Sequence, residues 1–171
     1  MKTIKIDEII LRKIALKDAK EMYQYAKNPL IGKMAGWTAH QSIEETKSVI
    51  KTLMKLNTYA LVYQDVMVGT IGIDIVGNKA ILGYALSEDY WYKNIMHRAL
   101  KALIIYLFNK TKISLLEATT YQSNYRSQNV LLKLGFQKKS QVKKIILEEE
   151  IILDLFLLER EAYERMILPW Q

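Results

Sequence analysis

Between positions 58 and 121 the sequence leaves the chain few ways to fold. Three strand-like runs, residues 58–64, 67–76 and 79–86, are separated only by Asp65-Val66 and Gly77-Asn78. Connections that short join antiparallel neighbours, so the three runs form a meander. A helical pattern follows over residues 94–110, with Ile95, Ala99, Leu103 and Tyr106 on one stripe and Met96, Leu100 and Leu107 beside it. An apolar face that wide packs flat on a sheet. The next strand, residues 115–121, must then return parallel to 79–86 by a right-handed crossover. One parallel pair in a mostly antiparallel sheet puts a crevice beyond the strand ends, where ligands tend to bind. The start of the long helix, near Lys93 to His97, opens into that crevice. Its unpaired N–H groups and the positive end of its dipole make a natural anion site.

The flanks complete an α+β domain, expected to span residues 1–171 as a single unit. Residues 9–15 read as a first strand, and Asp18 caps a helix through Met22, Tyr23 and Ala26 that stops before Asn28-Pro29. Residues 30–41, with Gly32, Gly36, Trp37 and His40, read as irregular. Ser42-Ile43-Glu44-Glu45 is a capping box opening a helix to about Leu56. After the loop at 87–93, the long helix and strand 115–121 comes a helix over 125–134, stopped by Gly135. Strands at 136–146 and 151–158 follow around a Glu148-Glu149-Glu150 turn, and residues 160–167 close with a helical turn or two. The apolar strand 151–158 is a candidate for pairing across a homodimer.

Composition removes several chemistries. The chain has no cysteine, which excludes disulfides, thiolate zinc sites and cysteine nucleophiles, and no metal site is expected. No apolar run approaches the roughly 20 residues that span a bilayer, and MKTIKIDEII lacks the apolar stretch of a secretory signal. A cytoplasmic protein with no membrane partner is the expectation. The net charge of +7 suits phosphate-rich ligands, but its lysines are dispersed apart from Lys138, Lys139, Lys143 and Lys144, so nucleic-acid binding is not expected.

With the elements in this order, the chain resembles the GNAT superfamily of N-acetyltransferases, most closely the ribosomal-protein N-terminal acetyltransferase branch. The resemblance is carried by Leu11-Arg12 with Asp18-Ala19, Gly36-Trp37 before Ser42-Ile43-Glu44-Glu45-Thr46, Leu82-Gly83-Tyr84, and Tyr90-Trp91. Its most specific piece is Asn124-x-x-Ser127 followed by Val130-Leu131-x-Lys133-Leu134-Gly135-Phe136. It implies a mixed, mostly antiparallel sheet with helices on both faces and a splayed parallel strand pair forming an acetyl-CoA crevice. The implied function is transfer of an acetyl group from acetyl-CoA to a primary amine, on a peptide N-terminus or a small molecule. The resemblance places the pyrophosphate on the N–H groups of Tyr92, Lys93, Asn94, Ile95, Met96 and His97, and the pantetheine arm along Tyr84, Ala85 and Leu86. Asn124 becomes a cofactor contact, Ser127 the partner of the thiol, and Glu117, on the strand before Asn124, the candidate catalytic carboxylate. Trp37, His40 and Asp74 are expected to border the acceptor. Lys93, His97 and Arg98 crowd the first turn of the long helix, where positive charge opposes the dipole unless an anion binds there.

Three positions depart from the family pattern. Asn94 stands where a loop glycine is usual, Ile81 where relatives often carry glutamate, and Leu131 where many carry a proton-donating tyrosine. Asn94 tolerates left-handed geometry, yet as an N-cap it would occupy an N–H that a phosphate needs. These departures keep open a second reading, a catalytically weak or inactive module that binds CoA or a protein partner.

Overall fold

The computed structural model describes residues 2–167. In chain order the elements are β1 (Ile4–Ile6), β2 (Ile9–Lys13), α1 (Ala19–Ala26), α2 (Pro29–Ala35), α3 (Ile43–Leu53), β3 (Thr58–Tyr63), β4 (Val66–Val76) and β5 (Lys79–Leu86). They continue as α4 (Ile95–Lys110), β6 (Leu115–Tyr121), α5 (Tyr125–Lys133), β7 (Gln137–Ile146), β8 (Glu149–Glu159) and α6 (Arg160–Ile167). The strands form one sheet in the order β1-β2-β3-β4-β5-β6-β8-β7. Only β5 and β6 pair in parallel; the other pairings are antiparallel. The meander, the crossover and the mixed sheet are therefore as the turn lengths require.

Strand alternation divides the core into two layers. On β3, Tyr59 and Leu61 pack with α4, while Ala60 and Val62 pack with α1 on the opposite face. The α4 side is the larger, built on Ile95, Ala99, Leu100, Leu103 and Leu107. Among the described residues, no helix is long and apolar enough to cross a membrane.

Several local expectations are corrected. Residues 29–35 are helical, not irregular: Asn28 accepts the Leu30 N–H at 2.9 Å, Pro29 occupies the first turn, and Gly36 ends the helix at φ 83°. This is the proline-first, glycine-last pattern of a short helix. Asp18 makes no side-chain cap; it accepts the Ala15 N–H at 2.8 Å and both guanidinium nitrogens of Arg12 at 2.8 and 2.6 Å. Ser42 caps α3 through the Glu45 N–H at 3.0 Å, but Glu45 reaches back to the Gln41 N–H rather than to that of Ser42. The last hairpin turns at Leu147-Glu148, both at positive φ, so Glu149 and Glu150 belong to β8. That strand lies between β6 and β7, with both edges paired from Leu153 to Leu157. Over that stretch it offers no free edge for the dimer pairing expected of residues 151–158, and only Ile151 and Ile152 lack a partner on the β6 side.

Candidate active site

The site begins where the parallel pair fails. β5 and β6 pair only over Lys79, Ala80, Ile81 and Leu82 against Leu115, Leu116, Glu117 and Ala118. Beyond Leu82 they separate, although β5 remains paired with β4 as far as Leu86. A Cβ on Gly69 would come within 2.3 Å of the Ala85 carbonyl, so only glycine lets β4 hold the separated half of β5 this closely.

Two clefts meet at this opening. The first, about 530 Å³, runs from Tyr84 past Ala85 and Leu86 to the start of α4, with α5 as its other wall. The second, about 660 Å³, lies among the α3–β3 connection, β4, β6 and β7, and contains Asp74, Lys55 and Lys144. Both are lined by Met34, Ala35, Tyr84, Asn124 and Ser127.

At the junction the Tyr84 hydroxyl lies 2.8 Å from Ser127 Oγ. Burial pushes the Tyr84 phenol above its usual range, so it stays neutral and can donate a proton or hydrogen bond. Asn124 fixes the serine from the other side, its Oδ1 accepting the Ser127 N–H at 3.2 Å as the cap of α5.

At the far end of the first cleft, Tyr92 and Asn94 hold φ 62° and 59°, the geometry that glycine would adopt without cost. Asn94 makes no side-chain cap, and the first helical backbone bond is Arg98 N–H to Asn94 O at 3.1 Å. The N–H groups of Ile95, Met96 and His97 therefore remain without helical partners, and the feared competition from an Asn94 cap does not occur. His97 lines the cleft with its Nδ1 buried and unpartnered, and burial, reinforced by Lys101 and Lys133, lowers its pKa.

The sequence-predicted residues divide sharply. Tyr84, Ala85, Leu86, Tyr92, Asn94, Ile95, Met96, His97, Asn124 and Ser127 all line the first cleft, and Asp74 lines the second. Lys93 does not; its Nζ sits 4.9 Å above the Tyr90 ring. Arg98 turns away to Asp7 and Glu8, each at 2.8 Å, and holds the Glu8 carboxyl down to about 2. Glu117 lines neither cleft; it sits on the paired half of β6 and bonds Lys79 at 2.7 Å. His40 is buried rather than bordering an acceptor, its Nδ1 2.9 Å from Thr46 Oγ1, and burial lowers its pKa. Trp37 also misses both clefts and packs into the α1–α3 layer, its carbonyl 2.6 Å from where a Cβ on Gly32 would lie.

Met34, Ala35 and Arg126 were missed. The first two come with α2, whose Asn28-Pro29 start and Gly36 stop were the available signal. Arg126 has no comparable sequence mark; only folding brings its guanidinium 3.6 Å from the Trp91 ring.

Two clefts converging on one hydrogen-bonded pair, with a free helix N-terminus at the end of one of them, are the architecture of a two-substrate acyltransferase. The family described as Acetyltransferase (GNAT) domain matches residues 8–137, and the chain belongs to it. An uncharacterized N-acetyltransferase p20 from Bacillus licheniformis is 26% identical over 175 residues, covering 94% of this chain and 98% of that protein. Among solved structures, RimL, a ribosomal L7/L12 alpha-N-protein acetyltransferase in complex with coenzyme A, superposes with a TM-score of 0.82 at 19% identity, covering 94% of this chain and 99% of that one. The microcin C7 self-immunity acetyltransferase MccE, solved with acetyl-CoA and AMP, superposes at 0.81 with 23% identity, covering 90% and 93%. At these identities the structural likeness speaks for the fold.

Proposed function

We propose that this acetyltransferase moves the acetyl group of acetyl-CoA to a primary amine, on a protein N-terminus or a small molecule, by direct attack in a ternary complex. The observation that carries this reading is the meeting of the two clefts at Tyr84 and Ser127. A cofactor in one and an acceptor in the other come face to face there without a covalent enzyme intermediate.

The residues of the first cleft fit the cofactor. No Asp or Glu lines it among the described residues, and three unpartnered N–H groups at the start of α4 suit a pyrophosphate. The separated backbone of residues 83–86 can pair with the pantetheine arm as an added strand. In the second cleft Asp74 is the one carboxylate among the described lining residues, and through water it can take the proton that an attacking ammonium must lose. Attack of the amine on the thioester carbonyl forms the C–N bond. Backbone N–H groups of the separated strand stabilise the oxygen as charge develops, and the C–S bond then breaks. Ser127 relays a proton from the neutral Tyr84 phenol to the departing thiolate, and the second proton shed by the acylated nitrogen returns through water to restore the pair.

The test is a thermal-shift titration with acetyl-CoA and desulfo-CoA, followed by thiol release over a panel of amines and peptides. Stabilisation by both ligands and thiol release that depends on an amine are expected. A protein stabilised by acetyl-CoA that releases no thiol with any amine is a CoA-binding module, and this reading fails.

A further inference from the structure

Helix α5 turns one narrow face to the first cleft. Arg126, Asn129, Val130 and Lys133 all line it, at the spacing that places side chains on a single helical stripe. Two of the four are cations. The pyrophosphate assignment above does not use them, because it engages the N–H groups of α4 on the opposite wall.

Arg126 is the more informative. It sits in the first turn of α5, where positive charge opposes the helix dipole, and no carboxylate pairs with it among the described residues. Its guanidinium lies over Trp91, 3.6 Å from the ring centroid. Trp91 is itself fixed, its Nε1 donating to the Leu86 carbonyl at 3.0 Å. A guanidinium stacked on an aromatic ring keeps its N–H edge free, and that edge is the fork that matches two oxygens of a phosphate. Lys133 lies two turns further along the same stripe and acts on His97 from there. The cleft is thus cationic along its α5 wall, beside an imidazole whose pKa burial lowers.

We infer that this α5 face reads the 3′-phosphate on the ribose of the coenzyme, so that the protein distinguishes CoA from dephospho-CoA. The inference rests on the cofactor reading above. A phosphate monoester carries more charge than each unit of a pyrophosphate diester and presents three free oxygens, so it gains most from a fork and a second cation. Because the cleft opens to solvent, part of that gain is screened by salt.

The experiment is calorimetric titration of the full chain with acetyl-CoA and with acetyl-dephospho-CoA, for the unmodified protein, Arg126→Met, Lys133→Met and the double variant. In the unmodified protein acetyl-CoA binds about tenfold or more tightly than its dephospho form. In the double variant the ratio falls to about one, while affinity for the dephospho form stays within about twofold of the original. That retained affinity also shows that the variant is folded. Equal binding of the two ligands by the unmodified protein overturns the inference and leaves the cofactor reading intact. So does a preference that survives in the double variant. Loss of both ligands in the double variant also overturns it, by placing the α5 cations on a part of the cofactor that both forms share. Binding of neither ligand by the unmodified protein overturns the cofactor reading and this inference together.

Discussion

The two halves of β5 lie in one strand and have opposite fates. From Lys79 to Leu82 the strand is paired on both edges, and the polar contact across its parallel edge is the Lys79–Glu117 ion pair. From Gly83 to Leu86 it keeps β4 and loses β6, and its polar contact is the Tyr84–Ser127 pair facing two clefts. Glu117 is the chemically stronger group, yet it lines neither cleft and is engaged by Lys79. What decides the role of a side chain here is whether the backbone beside it is sealed or open. A carboxylate with a neighbouring lysine is satisfied, whereas a neutral phenol and a hydroxyl at the mouth of a splayed pair can act on a ligand.

The largest expected effect tests the open half. Ser127→Ala removes the proposed donor to the thiolate and should lower kcat by about 10²-fold, with little change in the dissociation constant of acetyl-CoA. Tyr84→Phe should fall between that variant and the unmodified protein, because the phenol acts through the serine. Single-turnover kinetics with saturating cofactor reads the chemical step directly. If both variants retain full kcat and only weaken cofactor binding, the pair is a packing contact and the contrast between the halves loses its chemical content.

How much of this was legible beforehand follows the same division. Turn length and helical period dictate the meander and the crossover, because two-residue connections leave no other pairing and a broad apolar stripe must lie on a sheet. The lining of the first cleft was legible through the family resemblance, which names Tyr84 to Leu86, Tyr92 to His97, Asn124 and Ser127, and all of these but Lys93 line it. The second was not. Trp37 and His40 were placed in it by their position in a stretch read as loop, but α2 forms there and turns Met34 and Ala35 to the clefts instead. Glu117 was placed at the site because the family pattern carries glutamate there, and a pattern of residues does not say how far the strand pairing runs. Where a pairing stops depends on contacts between distant segments, such as the close approach of Gly69 to Ala85.

The paired half makes the next, smaller prediction. Glu117→Gln breaks a partly buried ion pair and should cost about 1 kcal/mol of stability. Its effect on kcat should stay within about twofold, against about 10²-fold for a residue that handles the proton. Urea unfolding and steady-state rates on one preparation supply both numbers. A loss of activity as large as that of Ser127→Ala, at unchanged stability, would make Glu117 catalytic and erase the distinction between the two halves.

The smallest effect concerns the two histidines of the chain, one on each kind of ground. His40 is enclosed against Thr46, and His97 lines the open cleft. Burial is the leading cause of a lowered pKa in both, from an ordinary value of 6.5. A histidine whose folded pKa is depressed binds its proton more readily when unfolded. Its stabilising contribution is therefore present above about pH 6.5 and is lost as pH falls through the folded value. The unfolding midpoint in urea should decline between about pH 7 and about pH 5, and His40→Gln should flatten part of that decline. Saturating acetyl-CoA separates the two histidines: an anionic ligand beside His97 favours its protonated form and offsets its share of the acid loss, whereas the share from His40, outside both clefts, persists. If the ligand abolishes the whole decline, His40 contributes nothing to it, and burial without access to the cleft does not set the acid limit of this fold.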